Sequence, residues 1–317
     1  MSKLVQTQGP LLALLVLVLL VSIFSENFAS LPNLAAILEA AAIPAIVAIG
    51  LTFVLLQASI DLSVEGVASF ANVLLSITIA NSVTTTDLGL WAILLVIGTG
   101  ILIGATSSII SIYVRMPSLI VTLGMWLTTV GFASLAFPGQ LPQILDTRIT
   151  VLALDKQWGL SWIVYIALAL IILAILVEKH TRFGRLSRAI GENEAVLVMS
   201  GIKVNRHKIG AFALAGACYA LAGILLAARL GVGNTVSGVG LLFPSIAACV
   251  LGGTLLSGGH GGIRQSMIGV LILVTLRNGL IQIGVDPLLQ SALEGAVIIV
   301  AVAGSTWHLR RKIRVIK

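Results

Sequence analysis

The stretch KHTRFGRLSRAIGENEAVLVMSGIKVNRHK, residues 179–208, is the only long, strongly polar segment in an otherwise apolar chain. It carries seven basic residues, Lys179, Arg182, Arg185, Arg188, Lys203, Arg206 and Lys208. Apolar runs long enough to cross a bilayer flank it on both sides. Positive charge accumulates in cytoplasmic loops, so the segment belongs inside the cell and the fold around it is a membrane bundle. Within it, Gly191 and Gly201 bracket a short helical window from Glu192 to Ser200. Glu192 or Asn193 can cap its start, and Gly201 suits the left-handed residue that closes a helix. The window displays Ala195, Val196, Val198 and Met199, and it is too short to be stable alone, so docking on a soluble partner is expected. The plainer alternative is a solvated basic loop that only fixes topology.

Composition supports the membrane class. Hydrophobic residues make up 58% and charged residues 10% of the 317, with a mean hydropathy of +1.11. A soluble domain has about 45–50% apolar and about 25% charged residues. The chain therefore reads as one all-α polytopic domain, 1–317. Its net charge of +7 reflects membrane orientation rather than nucleic-acid binding. Cys218 and Cys249 lie inside apolar runs and read as small packing residues, not a disulfide.

In chain order the apolar runs are Leu11 to Phe24, Leu34 to Leu56, Val67 to Ile79, Leu90 to Tyr113, Leu119 to Phe137 and Leu160 to Val177. After the polar segment come Ile209 to Leu230, about Leu241 to Leu256, about Ser266 to Ile283, and Leu288 to Ala303. The first resembles a secretory signal but reads as a retained anchor, because good small-residue cleavage sites do not follow it. The stretch Pro138 to Trp158 is expected to be an ordered external loop, with Trp158 and Trp162 at the membrane interface. About ten spans place both termini on one side. With both inside, fifteen of the nineteen Lys and Arg are cytoplasmic, including Arg264 and five in the basic tail, 305–317. The third and eighth runs are the shortest evidence for a span, and eight or nine spans are the alternatives.

The runs IGTGILIGATS, 97–107, and AFALAGACYALAGILLA, 211–227, place small residues on one helix face, which lets helices approach closely in a bilayer. Polar residues inside spans are costly there and mark cavities, partners or structural helix contacts. Arg277, Asn278, Gln282, Gln290 and Glu294 form one set, with Arg277 and Glu294 able to pair. Glu39, Gln57, Asp61 and Glu65 form another. Asp61, Asn72, Arg277, Asn278, Gln282 and Glu294 are the candidate translocation-pathway residues. No GxxxxGK[ST] phosphate loop and no HExxH occur, so the chain has no recognisable ATP site or metalloprotease site of its own. LSGGHGG, 256–262, reads as a tight turn rather than a phosphate cradle. No catalytic residue, metal site or cofactor is expected.

Three motifs together resemble a family. IDLSVEG at 60–66, GENEAVLVMSGIKVNRHKI at 191–209 and CVLGGTLLSGGHGG at 249–262 are similar, in order and spacing, to the permease subunits of ribose-type sugar ABC importers. These belong to the branched-chain amino acid and sugar permease superfamily, and the likeness runs from about residue 30 to residue 303. The resemblance implies a multi-pass protein of the bacterial cytoplasmic membrane with both termini cytoplasmic. It implies a second permease copy or paralogue, an external sugar-binding protein, and a cytoplasmic ATPase that uses ATP and Mg. It also implies an inverted repeat of spans 2–5 and 7–10, and a coupling loop, 179–208, whose contact residues would be Glu192, Asn193, Glu194, Ala195, Ser200 and Gly201. Two departures stand out: Glu65 replaces the family's usual glycine, and Gln265 and Ser266 replace its Gly-Thr. An ion- or proton-coupled secondary transporter using Asp61, Glu65 and Glu294 is the alternative function. A structural or assembly membrane protein is the third.

Overall fold

The computed structural model describes residues 3–286 together with 289, 290, 292–296 and 299. The order is α1 (Lys3–Phe24), α2 (Leu31–Leu56), α3 (Val64–Thr78), α4 (Trp91–Tyr113), α5 (Ser118–Ala136), α6 (Thr147–Leu154), β1 (Lys156–Gln157) and β2 (Leu160–Ser161). Then follow α7 (Trp162–His180), α8 (Arg182–Met199), α9 (Val204–Leu230), α10 (Leu242–Gly252) and α11 (Ile263–Gln282). Six of these, α2, α4, α5, α7, α9 and α11, are long and apolar enough to cross a membrane. The run from Leu288 to Ala303 and the basic tail lie largely or wholly outside the described residues.

The third and eighth apolar runs form helices, but short ones. With 11 residues at ~1.5 Å each, α10 spans about half of a ~30 Å hydrocarbon layer. Helix α3, with 15 residues, is only slightly longer. Both start part-way along the length of the bundle rather than at its ends. Polar backbone, 57–63, precedes α3 and the Gly-rich stretch 231–241 precedes α10, and neither holds a helical hydrogen-bond ladder.

Helices α2 and α9 form the antiparallel centre. Arg229 donates to the Glu39 carbonyl at 2.8 Å near one end, and Gln57 reaches the His207 carbonyl at 3.5 Å near the other. Their apolar windows are 61% buried, against 22–28% for α4, α5 and α7, which form the outer wall. The small-residue runs identified in the sequence meet each other: Gly100 and Gly104 of α4 lie directly on the backbone of Gly216 and Phe212 of α9. A side chain at either glycine would hold the helices apart and cost the dispersion contacts that drive association in lipid.

Between α5 and α7 the chain is ordered, as the sequence implies. Asp146 caps α6, and a two-strand hairpin pairs Lys156 with Ser161 and Gln157 with Leu160. The hairpin is tied to α2 and α7 by Lys156–Glu39 at 3.3 Å and by the Tyr165 hydroxyl on the Gln157 carbonyl at 2.7 Å.

Candidate functional site

The polar segment is more helical than its sequence suggests. Helix α8 runs from Arg182 to Met199 with a break at Asn193, where φ is −159° and ψ is 90°. Gly191 is therefore inside the first half, and the window expected from Glu192 starts only after Asn193. The Asn193 carboxamide oxygen accepts from the Val196 N–H at 3.3 Å, capping the second half, and Gly201 closes it with φ 77°. The missed signal is Phe183, Leu186 and Ile190 between arginines, an amphipathic spacing behind the Thr181 cap, whose hydroxyl accepts from Gly184 N–H.

The two halves behave differently. Gly184, Ser187 and Ile190 bury the first half against the bundle. In the second, Glu192, Asn193, Glu194, Ala195, Val196, Val198, Met199, Ser200 and Gly201 are exposed, with Met199 at 88%. Among the described residues, the ion pair of Lys208 with Glu194, at 2.7 Å, ties this tip to α9.

The first half is held by the turn that the sequence reads as LSGGHGG. Positive φ at Gly258, Gly259, Gly261 and Gly262 requires glycine there, because a Cβ is strained in that region. The turn lets the Gly259 N–H reach the Leu56 carbonyl at 3.0 Å, and Gly191 packs against both Leu56 and Gly259. Arg188 donates to Glu178 at 2.5 Å and to the Gly261 carbonyl at 3.0 Å, while the other Glu178 oxygen accepts from Ile263 N–H at 2.9 Å. Glu178 thus caps α11 and fixes α8 at once; sequence reasoning passed over it as the end of an apolar run. The Ser266 hydroxyl lies 2.7 Å from that of Thr52 and 3.0 Å from that of Thr254.

A second polar seam lies deep in the bundle. Glu65, Ser69, Asn72 and Ser76 share one face of α3, and residues 233–242 descend along it. The Asn72 carboxamide oxygen accepts from Asn234 N–H at 2.7 Å, Ser69 from Gly238 N–H at 3.0 Å, and Glu65 from Gly240 and Leu242 N–H at 3.0 and 3.2 Å. Glu65 is therefore a cap on α10. Asp61 accepts from the Ser63 hydroxyl and N–H at 2.6 and 2.9 Å, and its carboxylate faces the Tyr219 hydroxyl near the middle of α9.

The candidate pathway residues are not brought to one place. Asp61 and Asn72 belong to this seam, both fully buried. Asn278 and Gln282 both donate to the Asn33 carboxamide oxygen, at 2.9 and 3.0 Å, where α11 meets the start of α2. Such contacts are worth about 0.6 kcal/mol each in a bilayer, enough to act as helix glue. Arg277 pairs with Glu294 at 3.6 Å, as its spacing allows. The set of Glu39, Gln57, Asp61 and Glu65 splits as well. Glu39 and Gln57 stand near opposite ends of α2, ~27 Å apart along the helix.

Residues 33–302 match the family model described as branched-chain amino acid transport system / permease component. Ribose import permease protein RbsC of Escherichia coli (strain K12) is 36% identical over 302 residues, covering 93% of this chain and 92% of that protein. The probable ABC transporter permease protein YphD of the same organism is 34% identical over 302 residues, covering 95% and 90%. The L-arabinose transport system permease protein AraH of the same organism is 33% identical over 308 residues, covering 96% and 92%. No solved structure matches the chain. With the family model spanning most of its length, this chain, a multi-pass membrane protein, belongs to the permease-component family of the branched-chain amino acid transport systems.

Proposed function

We propose that the chain is the membrane permease of an ATP-binding-cassette importer for a sugar or sugar-like solute. The observation that carries this reading is the exposed tip Glu194–Met199, an apolar patch on a polar segment, in a chain 36% identical to a ribose import permease. A soluble ATPase docked on that tip would move it, and the first half of α8 would carry the motion to the glycine turn and α10. The chain brings no phosphate loop, so hydrolysis of MgATP belongs to the partner. An external binding protein would deliver the solute, and two permease copies or paralogues would form the route between them. Both termini would be cytoplasmic.

The inverted repeat of spans 2–5 and 7–10 has support in the packing. Helix α3 follows the direction of α9, with Ala68 against Gly223, and α10 follows that of α2, with Cys249 near Thr52 and Gly259 on Leu56. The central pair is antiparallel, so the two short helices point oppositely, as two inverted halves would place them. Adding α1, α3, α10 and the run from 288 to the six long helices would bring the membrane segments to ten.

The test is co-purification. The solubilised chain should bring down an ATP-hydrolysing protein, and replacing residues 192–201 by a Gly-Ser linker should abolish this. If nothing that hydrolyses ATP associates with the intact chain, the importer reading fails.

A further inference from the structure

At the height of Tyr219, near the middle of α9, the first turns of α3 and α10 meet through the Glu65 carboxylate. The segment leading into α10 is irregular, and it is not covered: Val236, Val239 and Phe243 are 59, 66 and 70% exposed, and Gly240 is exposed as well. Open backbone at this depth cannot face lipid tails, which satisfy no N–H or C=O group; it is tolerated only against protein or along a polar cavity. Buried side-chain atoms without a protein partner follow the same seam: Asn72 Nδ2, Ser237 Oγ and Ser245 Oγ. Each costs about 1–3 kcal/mol in a sealed interior, so their concentration here marks a place that admits hydroxyl-bearing molecules in another state of the protein.

We propose that residues 236–243 form the midplane gate of the solute route, that Phe243 is its closing side chain, and that Glu65 is the positioning residue that holds the gate by capping α10. The solute it passes is a small, neutral polyhydroxy compound. The gate carries apolar and aromatic groups but no exposed charge, so it excludes ions while an open position offers a ring face and the seam's hydroxyls. This deepens the importer reading and rests on it for the direction of transport. The Glu65 side chain takes up two backbone N–H groups that would otherwise point into the route.

Passive flux in proteoliposomes of the full-length chain, without ATP, tests the gate. The probes are radiolabelled ribose, and sucrose as the larger control. Intact protein should pass ribose no faster than empty vesicles. Phe243→Ala and Glu65→Gly should each raise ribose flux by at least about tenfold, with sucrose still retained. Glu65→Gln keeps an acceptor oxygen and should stay within about twofold of the intact chain. The exposed Phe243 side chain can be truncated without opening the core, so it decides the matter if Glu65→Gly does not insert. Ribose flux unchanged in inserted Phe243→Ala overturns the gate, as does sucrose leaking equally. Neither result bears on whether an ATPase binds α8, so the gate and the importer reading fail separately.

Discussion

Glu178, at the end of α7, holds Arg188 of α8 at 2.5 Å while its other oxygen accepts the first N–H of α11. One carboxylate thus joins three helices at the base of the exposed tip of α8. Its side chain is 7% exposed and that of Arg188 40%, so the pair is buried on one side and wet on the other.

Arg188→Ala should lower stability by about 1–3 kcal/mol, because Glu178 stays buried with its charge only partly satisfied and the exposed arginine end contributes little. Thermal unfolding of the purified protein in detergent reads this. A melt unchanged by the substitution would show that Glu178 is satisfied by Ile263 alone.

Gly191→Val places atoms against the backbone of Leu56 and Gly259, neither of which can rotate away. The expected cost is about 3 kcal/mol, at the upper end for overpacking. Gly98→Ala, where nothing lies within 4 Å, is the control and should be neutral or slightly stabilising. Equal yields of folded protein from both variants would contradict the docking described for α8.

Glu194→Lys replaces an exposed ion-pair partner of Lys208 with a like charge. The stability change should be under about 1 kcal/mol. Solute uptake by whole cells should nevertheless fall severalfold while the amount of protein in the membrane stays constant. Normal uptake would remove Glu194 from the ATPase contact.

Arg148 beside Asp146 holds that carboxyl below the usual carboxylate range, the hydrogen bond from the guanidinium being the main cause. A depressed folded value means the contribution is present above the unfolded pKa of about 3.9 and is lost as pH falls through the folded one. Stability should therefore decline more steeply below about pH 4 in the intact protein than in Asp146→Asn. Identical acid limbs of the two unfolding curves would count against the pairing as a source of stability.

Much of this protein is visible in its chain. Among the described residues the long apolar runs from Leu34 onward are helices within a few residues of their expected bounds, because a bilayer segment must satisfy its own backbone hydrogen bonds; the first begins at Lys3, eight residues before its apolar run. The small residues at Gly100, Gly104 and Gly216 announced a close contact, and the contact is there. Gly201 ended its helix as its chemistry suggests. The first half of α8 was obscured by its arginines, whose charge resembles a loop although Phe183, Leu186 and Ile190 keep helical spacing.

What the sequence determined by itself is the class, the long apolar helices and the exposed tip, since hydropathy, charge and glycine act through neighbours a few positions away. Tertiary structure alone decided the partnerships. Asn278 binds Asn33, 245 residues earlier; Glu65 caps a helix 177 residues later; Glu178 reaches Ile263 across 85. A carboxylate in an apolar chain must find donors, but which backbone N–H groups stand free depends on where two short helices begin inside the bundle. That follows from packing, not from local spacing.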